Sequence, residues 1–351
     1  MPHFGWYYLT YSQAVIVIAG LSYGGWMLWL APVWTFGFIP LLDHFRGIAK
    51  GNATPDQEKK YSTSIGYNAV VWLWVPIQSF VLVFAVFCIL SADFSAAEFS
   101  GAVFSVGIMT GAIGITWAHE LCHRTDRLEK ALAEILLSQV SYAHFAIEHV
   151  YGHHRNVATP LDPATSRLGE SFYRFLPRTV GGGLVSAWRI EKHQLAKKGR
   201  SVFDLRNRML RYLLIQGLIY GGLAYMGGWI LVLFFAGQAM IAITLLEIVN
   251  YLEHYGLLRQ ETGAGRYERV QPWHSWNASQ IVSNLSLINL ARHSDHHFMA
   301  SRRYQILRHY DDVPQLPSGY PAMIIIALIP PLWFRLMNPR VQVWREMHLP
   351  A

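Results

Sequence analysis

Three stretches of the chain contain neither lysine nor arginine: Phe4 to Phe45, Tyr61 to His123 and Tyr212 to Leu258. Each is long enough to cross a bilayer more than once at about 20 residues per crossing, and no soluble core needs runs of that length. Of the 351 residues, 52% are hydrophobic and only 15% charged, against about 25% charged in an ordinary soluble domain. The sequence therefore predicts an all-α integral membrane protein. Spans are expected near Ser12–Leu30, Pro32–Leu42, Tyr67–Leu90, Ala97–Ala118, Tyr212–Gly227 and Trp229–Val249. The second is too short alone and must tilt, form a tight hairpin with the first through Ala31 and Pro32, or continue past Asp43 along the surface.

Charge gives these spans a direction. Arg46, Lys50, Lys59 and Lys60 follow the second span, a long basic segment follows the fourth, and the C-terminal third is basic. The opposite turns, Ser91 to Ala96 and Gly227 to Gly228, carry no lysine or arginine. By the positive-inside rule both termini and the two large polar segments, 119–211 and 250–351, are cytoplasmic. This asymmetry absorbs most of the formal net charge of +7 and removes the reason to invoke nucleic acid as a partner. The N-terminus lacks a charged region followed by a small-residue cleavage site, so the first span is read as retained. Cys88 sits within a span and Cys122 among histidines on the cytoplasmic side, which argues against a structural disulfide. With no CxxC pair, the chain carries no fused iron-sulfur or rubredoxin module. The sequons at Asn52, Asn277 and Asn284 fall on the cytoplasmic side and are read as chance. No internal repeat or low-complexity linker divides the chain, and residues 1–351 read as one membrane domain.

The chain holds 16 histidines, and nine of them lie in four short clusters at or near the ends of apolar segments. His119 and His123, spaced i, i+4 at the end of the fourth span, share one helical face and could chelate one metal. His149, His153 and His154 offer a pair on one face and an adjacent ring turned by roughly 100°. His254 stands where the sixth span leaves the membrane, and His293, His296 and His297 repeat the doublet at i, i+3, i+4. Alone, an HxxxH pair is weak, and His119-Glu120-Leu121-Cys122-His123 also matches the HExxH of zinc proteases. Together, nine neutral imidazoles exceed the ligand set of one zinc and suit two redox-active ions, most plausibly iron. Glu120, Glu148, Glu253 and Asp295 each lie beside a cluster histidine; a carboxylate accepting the second ring N–H would fix tautomer and orientation, while a solvated charge at a helix end is the alternative.

In this order, and with these spans, the motifs resemble the membrane alkane 1-monooxygenases, the histidine-rich alkane hydroxylases of bacteria. The resemblance extends to Asn156 through Arg167, Asn250 through Arg259, His274-Ser275-Trp276-Asn277 and Arg292 through His297. It covers nearly the whole chain from Ala118 onward and is looser in the first two spans. Xylene monooxygenase and the membrane fatty-acid desaturases are related; the latter share the three-box histidine plan, and Asn250-Tyr251-Leu252-Glu253-His254-Tyr255-Gly256 argues for the hydroxylases. The resemblance implies six transmembrane helices in the bacterial inner membrane and two non-haem irons in a cytoplasmic cage of His119, His123, His149, His153, His154, His254, His293, His296 and His297. It also implies O2 as co-substrate, and electrons from rubredoxin or a ferredoxin fed by an NAD(P)H-dependent reductase. The first box usually has Gly and Lys where this chain has Cys122 and Arg124; the histidine spacing is intact, so Cys122 is expected to alter packing rather than ligation.

The implied reaction is terminal hydroxylation of an alkane; alkyl aromatics, or fatty-acyl desaturation at the same metals, are the alternatives. An alkane offers no hydrogen bond, so selectivity must come from the shape and depth of an apolar channel entered from the bilayer. Trp29, Trp34 and Phe38, with Trp26 and Phe36, are candidates for its far wall, against the alternative of lipid-facing anchors. The basic segment Arg189 to Arg211 has two readings: a surface near anionic membrane lipid, or a dock for an acidic electron carrier. Tyr320 to Met337 reads as a re-entrant or interfacial element.

Overall fold

A bilayer leaves no water for unpaired backbone groups, so apolar segments that cross it must close their hydrogen bonds internally as helices. The computed structural model describes residues 2–348, and helices carry all of the apolar stretches. In chain order they are α1 (Ser12–Tyr23), α2 (Gly25–Arg46), α3 (Ile65–Ser91), α4 (Ala96–Cys122), the amphipathic α5 (Arg127–Ser138), α6 (Phe172–Ala196), α7 (Arg208–Gly227), α8 (Trp229–His254), α9 (His293–Phe298), α10 (Tyr320–Ala327) and α11 (Pro330–His348). The only sheet among the described residues is a small hairpin of Glu261–Gly263 with Arg266–Tyr267. On α3 the side facing away from the protein is as apolar as the buried one, with Phe80, Val83 and Phe87 each more than half exposed, as expected of a helix solvated by lipid. The protein is a multi-pass membrane protein.

Four described helices, α2, α3, α4 and α8, are long and apolar enough to span unaided. The bounds expected for the six spans are corrected in two places. The first expected span breaks at Gly24, whose φ of +68° favours glycine, and not at Pro32. Proline is tolerated there because it lies in the first turn of regular α-helix, after a 3-10 turn at Gly25–Trp29, where a missing N–H costs little. The second span is consequently longer, Gly25–Arg46, and α1 is short. In α7 the first turn carries Arg208 and Arg211, so its apolar portion is also short. The C-terminal pair α10 and α11 meets at 117°, at the consecutive prolines Pro330 and Pro331, and does not form one straight span.

α4 and α8 run side by side toward the histidines. A Cβ on Gly111 would lie 2.7 Å from Ala242 Cα, so only glycine permits this approach, the usual device where helices meet in lipid. Polar side chains buried in the bundle bond to one another: Thr110 Oγ1 donates to Gln238 Oε1 (2.8 Å), and Gln78 Nε2 to Gln139 Oε1 (2.8 Å). Beyond the membrane, residues 119–207 and 255–319 fold back over the helix ends. Arg292 donates to Ala49 O and Leu307 O, and Asp43 Oδ1 accepts from Val282 N and Ser283 N, which ties this cap to the end of α2.

Candidate metal centre

His119 stands in the last turn of α4 and His123 caps it; His254 is the last residue of α8; His293, His296 and His297 are carried by α9. The remaining cluster lies on a helical stretch from Phe145 to Asn156 interrupted by a π-turn at His149–His153, where His154 N donates to His149 O. An i→i+5 turn places His154 over His149, whereas an α-helix would pair His149 with His153. The structure accordingly sorts the histidines into two groups. His119, His123, His149, His154 and His296 form one; His153, His254, His293 and His297 form the other. The expected pairing of His149 with His153 is corrected by this extra residue in the turn.

Within each group the Nε2 atoms point at one another. His149 Nε2 lies 2.6 Å from that of His119 and 3.0 Å from those of His123 and His154, and His154 Nε2 is 3.0 Å from His296 Nε2. In the other group the pairs His153–His297 and His254–His293 are separated by 3.2 and 3.3 Å. A ring nitrogen carries one proton or one lone pair, so a nitrogen surrounded by three others cannot satisfy them by hydrogen bonding. A cation among converging lone pairs can: with metal–nitrogen bonds of about 2.1 Å, neighbouring ligand nitrogens fall roughly 3.0–3.4 Å apart. Burial also favours the neutral ring that ligation requires at every clustered histidine beyond the spanning helices except His153. It holds His149, His154, His293, His296 and His297 well below the usual histidine range, and His123 at about 3. Either group could hold a metal ion. Cys122 is buried in the apolar core and belongs to neither group.

Of the four carboxylates expected to brace a ring, Glu253 does so and Glu120, Glu148 and Asp295 do not. Glu253 Oε1 meets His293 Nδ1 at 3.2 Å and accepts from Tyr320 OH at 2.7 Å. Glu120 instead pairs with Arg124 (2.5 Å) and accepts from Tyr304 N, and Asp295 binds Arg302, Arg308 N and Tyr310 OH. Adjacency in sequence misleads here because neighbours on a helix point about 100° apart. Glu148 is buried against Gly152 in the π-turn, and burial followed by the nearby Asp162 charge pushes its carboxyl up to about 8. The residue the sequence reading missed is Asp162, whose Oδ2 lies 2.9 Å from His153 Nδ1. Ala164 N and Thr165 Oγ1 donate to the same carboxylate and orient it. Burial, the largest single influence, would lower His153; the charge and hydrogen bond of Asp162 together with the Glu148 and Glu253 charges outweigh it, so His153 is raised while Asp162 is held down. The signal was the Asp-Pro-Ala-Thr stretch, whose aspartate folds back on its own backbone as an Asx-turn.

An apolar cavity of about 680 Å³ runs from the bilayer side to His119, His149, His293 and Glu253. Its walls include Trp34, Phe36, Ile39 and Leu42 from α2, Gly111 and Ile113 from α4, and Leu245 and Val249 from α8. Of the three aromatic residues singled out for the channel, Trp34 lines it and Trp29 and Phe38 do not. Trp29 packs on Phe104 at 5.7 Å between ring centroids, and Phe38 is half exposed. A π-turn at Trp34–Phe38 shifts the helix phase and brings Phe36 inward instead. Trp26 is largely exposed at the far end.

With this geometry established, comparison with known proteins is decisive. Alkane 1-monooxygenase 1 of Pseudomonas aeruginosa is 44% identical over 313 residues, covering 88% of this chain and 81% of that protein. Alkane 1-monooxygenase 2 of the same organism is 43% identical over 327 residues, covering 93% and 87%. The chain belongs to the alkane 1-monooxygenase family. The fatty acid desaturase family model matches residues 97–327, a stretch from the start of α4 to the end of α10 that contains all nine clustered histidines. The hydroxylase component XylM of the Pseudomonas putida xylene/toluene monooxygenase is 27% identical over 346 residues, covering 97% of this chain and 90% of that protein. Alkane 1-monooxygenase membership makes the protein an enzyme of the desaturase-type metalloprotein class.

Proposed function

We propose that the protein hydroxylates the terminal carbon of alkanes, using O2, two electrons and two protons to form a 1-alkanol and water. The observation that supports this most directly is the apolar cavity ending on the histidines. Its wall is made for a chain that offers no hydrogen bond, and the relatives with the highest identities quoted above are named for the alkane reaction. Two irons would be held by His119, His123, His149, His154 and His296, and by His153, His254, His293 and His297. When bound, they supply the activation of O2 and the oxidation of the C–H bond.

The chain's own residues perform the rest. Asp162 and Glu253 fix the ring orientations of His153 and His293 through Nδ1, leaving Nε2 free to ligate. Trp34, Phe36, Ile39 and Leu42 exclude water and set how far a chain can extend beyond the reacting carbon. Electrons would come from rubredoxin or a ferredoxin with its NAD(P)H-dependent reductase. The distribution of Lys and Arg around the histidine-bearing end of the bundle supports a cytoplasmic site in an inner membrane. The relation to the xylene/toluene hydroxylase supports alkyl aromatics as a second substrate class.

The test is conversion of octane, dodecane and hexadecane under isotopically labelled O2, in a host lacking its own hydroxylase and supplied with rubredoxin and its reductase. A 1-alkanol carrying one labelled oxygen is the expected product. An unlabelled alkene, or turnover of alkyl aromatics with no alkanol from folded, metal-loaded protein, would overturn the alkane reading.

A further inference from the structure

The connection between α6 and α7 presents apolar side chains where a water-facing loop would not. Phe203 is 81% and Leu205 88% exposed, among the highest values for large apolar side chains in the protein. The connection is an ordered turn. Gly199, at φ +65°, ends α6, and Arg200 N donates back to Leu195 O. Ser201 Oγ accepts from Phe203 N, Asp204 Oδ1 from Arg206 N, and Asn207 Nδ2 donates to Val202 O. Arg208 clamps the base by a two-pronged bond to Glu191 (3.0 and 2.7 Å). This scaffold holds Phe203 and Leu205 outward.

In sequence they are flanked by Lys197, Lys198, Arg200, Arg206 and Arg211. No ion pair ties these five side chains among the described residues; between Arg189 and Arg211 the only acids in sequence are Asp204 and Glu191, and Glu191 is committed to Arg208. The loop leads directly into the first turn of α7, which forms a hairpin through Gly228 with α8 and therefore starts at the same end of the bundle as His254. Because the apolar part of α7 pairs with α8, which is long and apolar enough to span, the segment that precedes α7 is placed at headgroup level. Exposed Phe and Leu tips within a basic ring are the composition of an interfacial anchor for anionic lipid.

We propose that residues 197–206 form a membrane wedge: Phe203 and Leu205 enter the acyl boundary of the leaflet on the histidine side, and the surrounding Lys and Arg side chains bind anionic lipid phosphates. A protein-docking role for the same charges has no use for two apolar tips held at membrane level, so lipid is the better-fitting partner than an acidic electron carrier.

The test uses the full chain in nanodiscs of phosphatidylcholine, alone or mixed with phosphatidylglycerol. A nitroxide is attached at Leu205→Cys, both native cysteines being buried. Labels at Glu261→Cys in the exposed hairpin and Phe87→Cys on the lipid face of α3 serve as aqueous and lipid references. Collision rates with O2 and with a water-soluble nickel chelate are compared. In mixed discs the label at 205 should approach the Phe87 reference, with chelate access several-fold below that at Glu261. Replacing Lys197, Lys198, Arg200 and Arg206 together by Gln should remove the dependence on phosphatidylglycerol. A label as open to chelate as Glu261 in both compositions overturns the wedge. Equal insertion without anionic lipid overturns the role of the basic ring. Protection from chelate only on adding rubredoxin, reversed by salt, assigns the surface to the carrier and overturns the proposal.

Discussion

The two histidine groups differ in number, in shielding and in what stands behind them. The five-histidine group includes the partly exposed His123 and His154, whereas all four members of the other are buried. The four-histidine group is braced by two carboxylates, Asp162 on His153 and Glu253 on His293; of the three acids adjacent in sequence to the five-histidine group, Glu120 and Asp295 are turned to arginines and Glu148 is buried against Gly152. If both groups hold a metal, as proposed, one site would be held by ligand number and the other by the orientation of fewer ligands. The two should respond differently when a ligand or a brace is removed.

The largest expected effect is loss of a ligand. His149→Ala removes the nitrogen that faces three others and should reduce alkane turnover by at least about 100-fold, and His153→Ala should do the same through the other group. Metal analysis of the purified variants decides the comparison: each should retain the ion of the untouched group. Loss of both ions from either variant would show that the groups act as one unit.

Bracing comes next. Asp162→Asn should weaken metal retention about 10- to 100-fold and lower turnover in step, releasing one ion to a chelator ahead of the other. Glu253→Gln should fall at the lower end of that range, because Tyr320 still orients the side chain. Matched chelator release from Asp162→Asn and from wild type would break the assignment of Asp162 as a positioning residue.

The smallest effect on the centre should come from the cavity wall. Trp34→Ala should leave metal content at the wild-type value while shifting the ratio of hexadecane to octane conversion several-fold toward the longer chain. An unchanged product profile would remove Trp34 from the channel.

Much of this protein was legible in sequence because the relevant physics is local. Long runs without Lys and Arg can only be solvated by lipid, and charge asymmetry between their ends orients them. Histidines spaced i, i+4 share a face wherever the helix between them stays regular, as His119 with His123 and His293 with His297. Other features depended on phase and on distant contacts. A single additional residue in the turn at His149–His153 set His154 over His149 and moved His153 to the other group. The same kind of turn at Trp34–Phe38 brought Phe36 into the cavity and left Phe38 outside. Asp162 and Tyr320 reach their histidine and glutamate partners only once the segments after the membrane helices fold back on them. Sequence alone determined a membrane bundle with nine histidines collected at one end. Only tertiary structure decided their division into five and four, because the direction of a side chain depends on accumulated helix phase and on what packs against it from far along the chain.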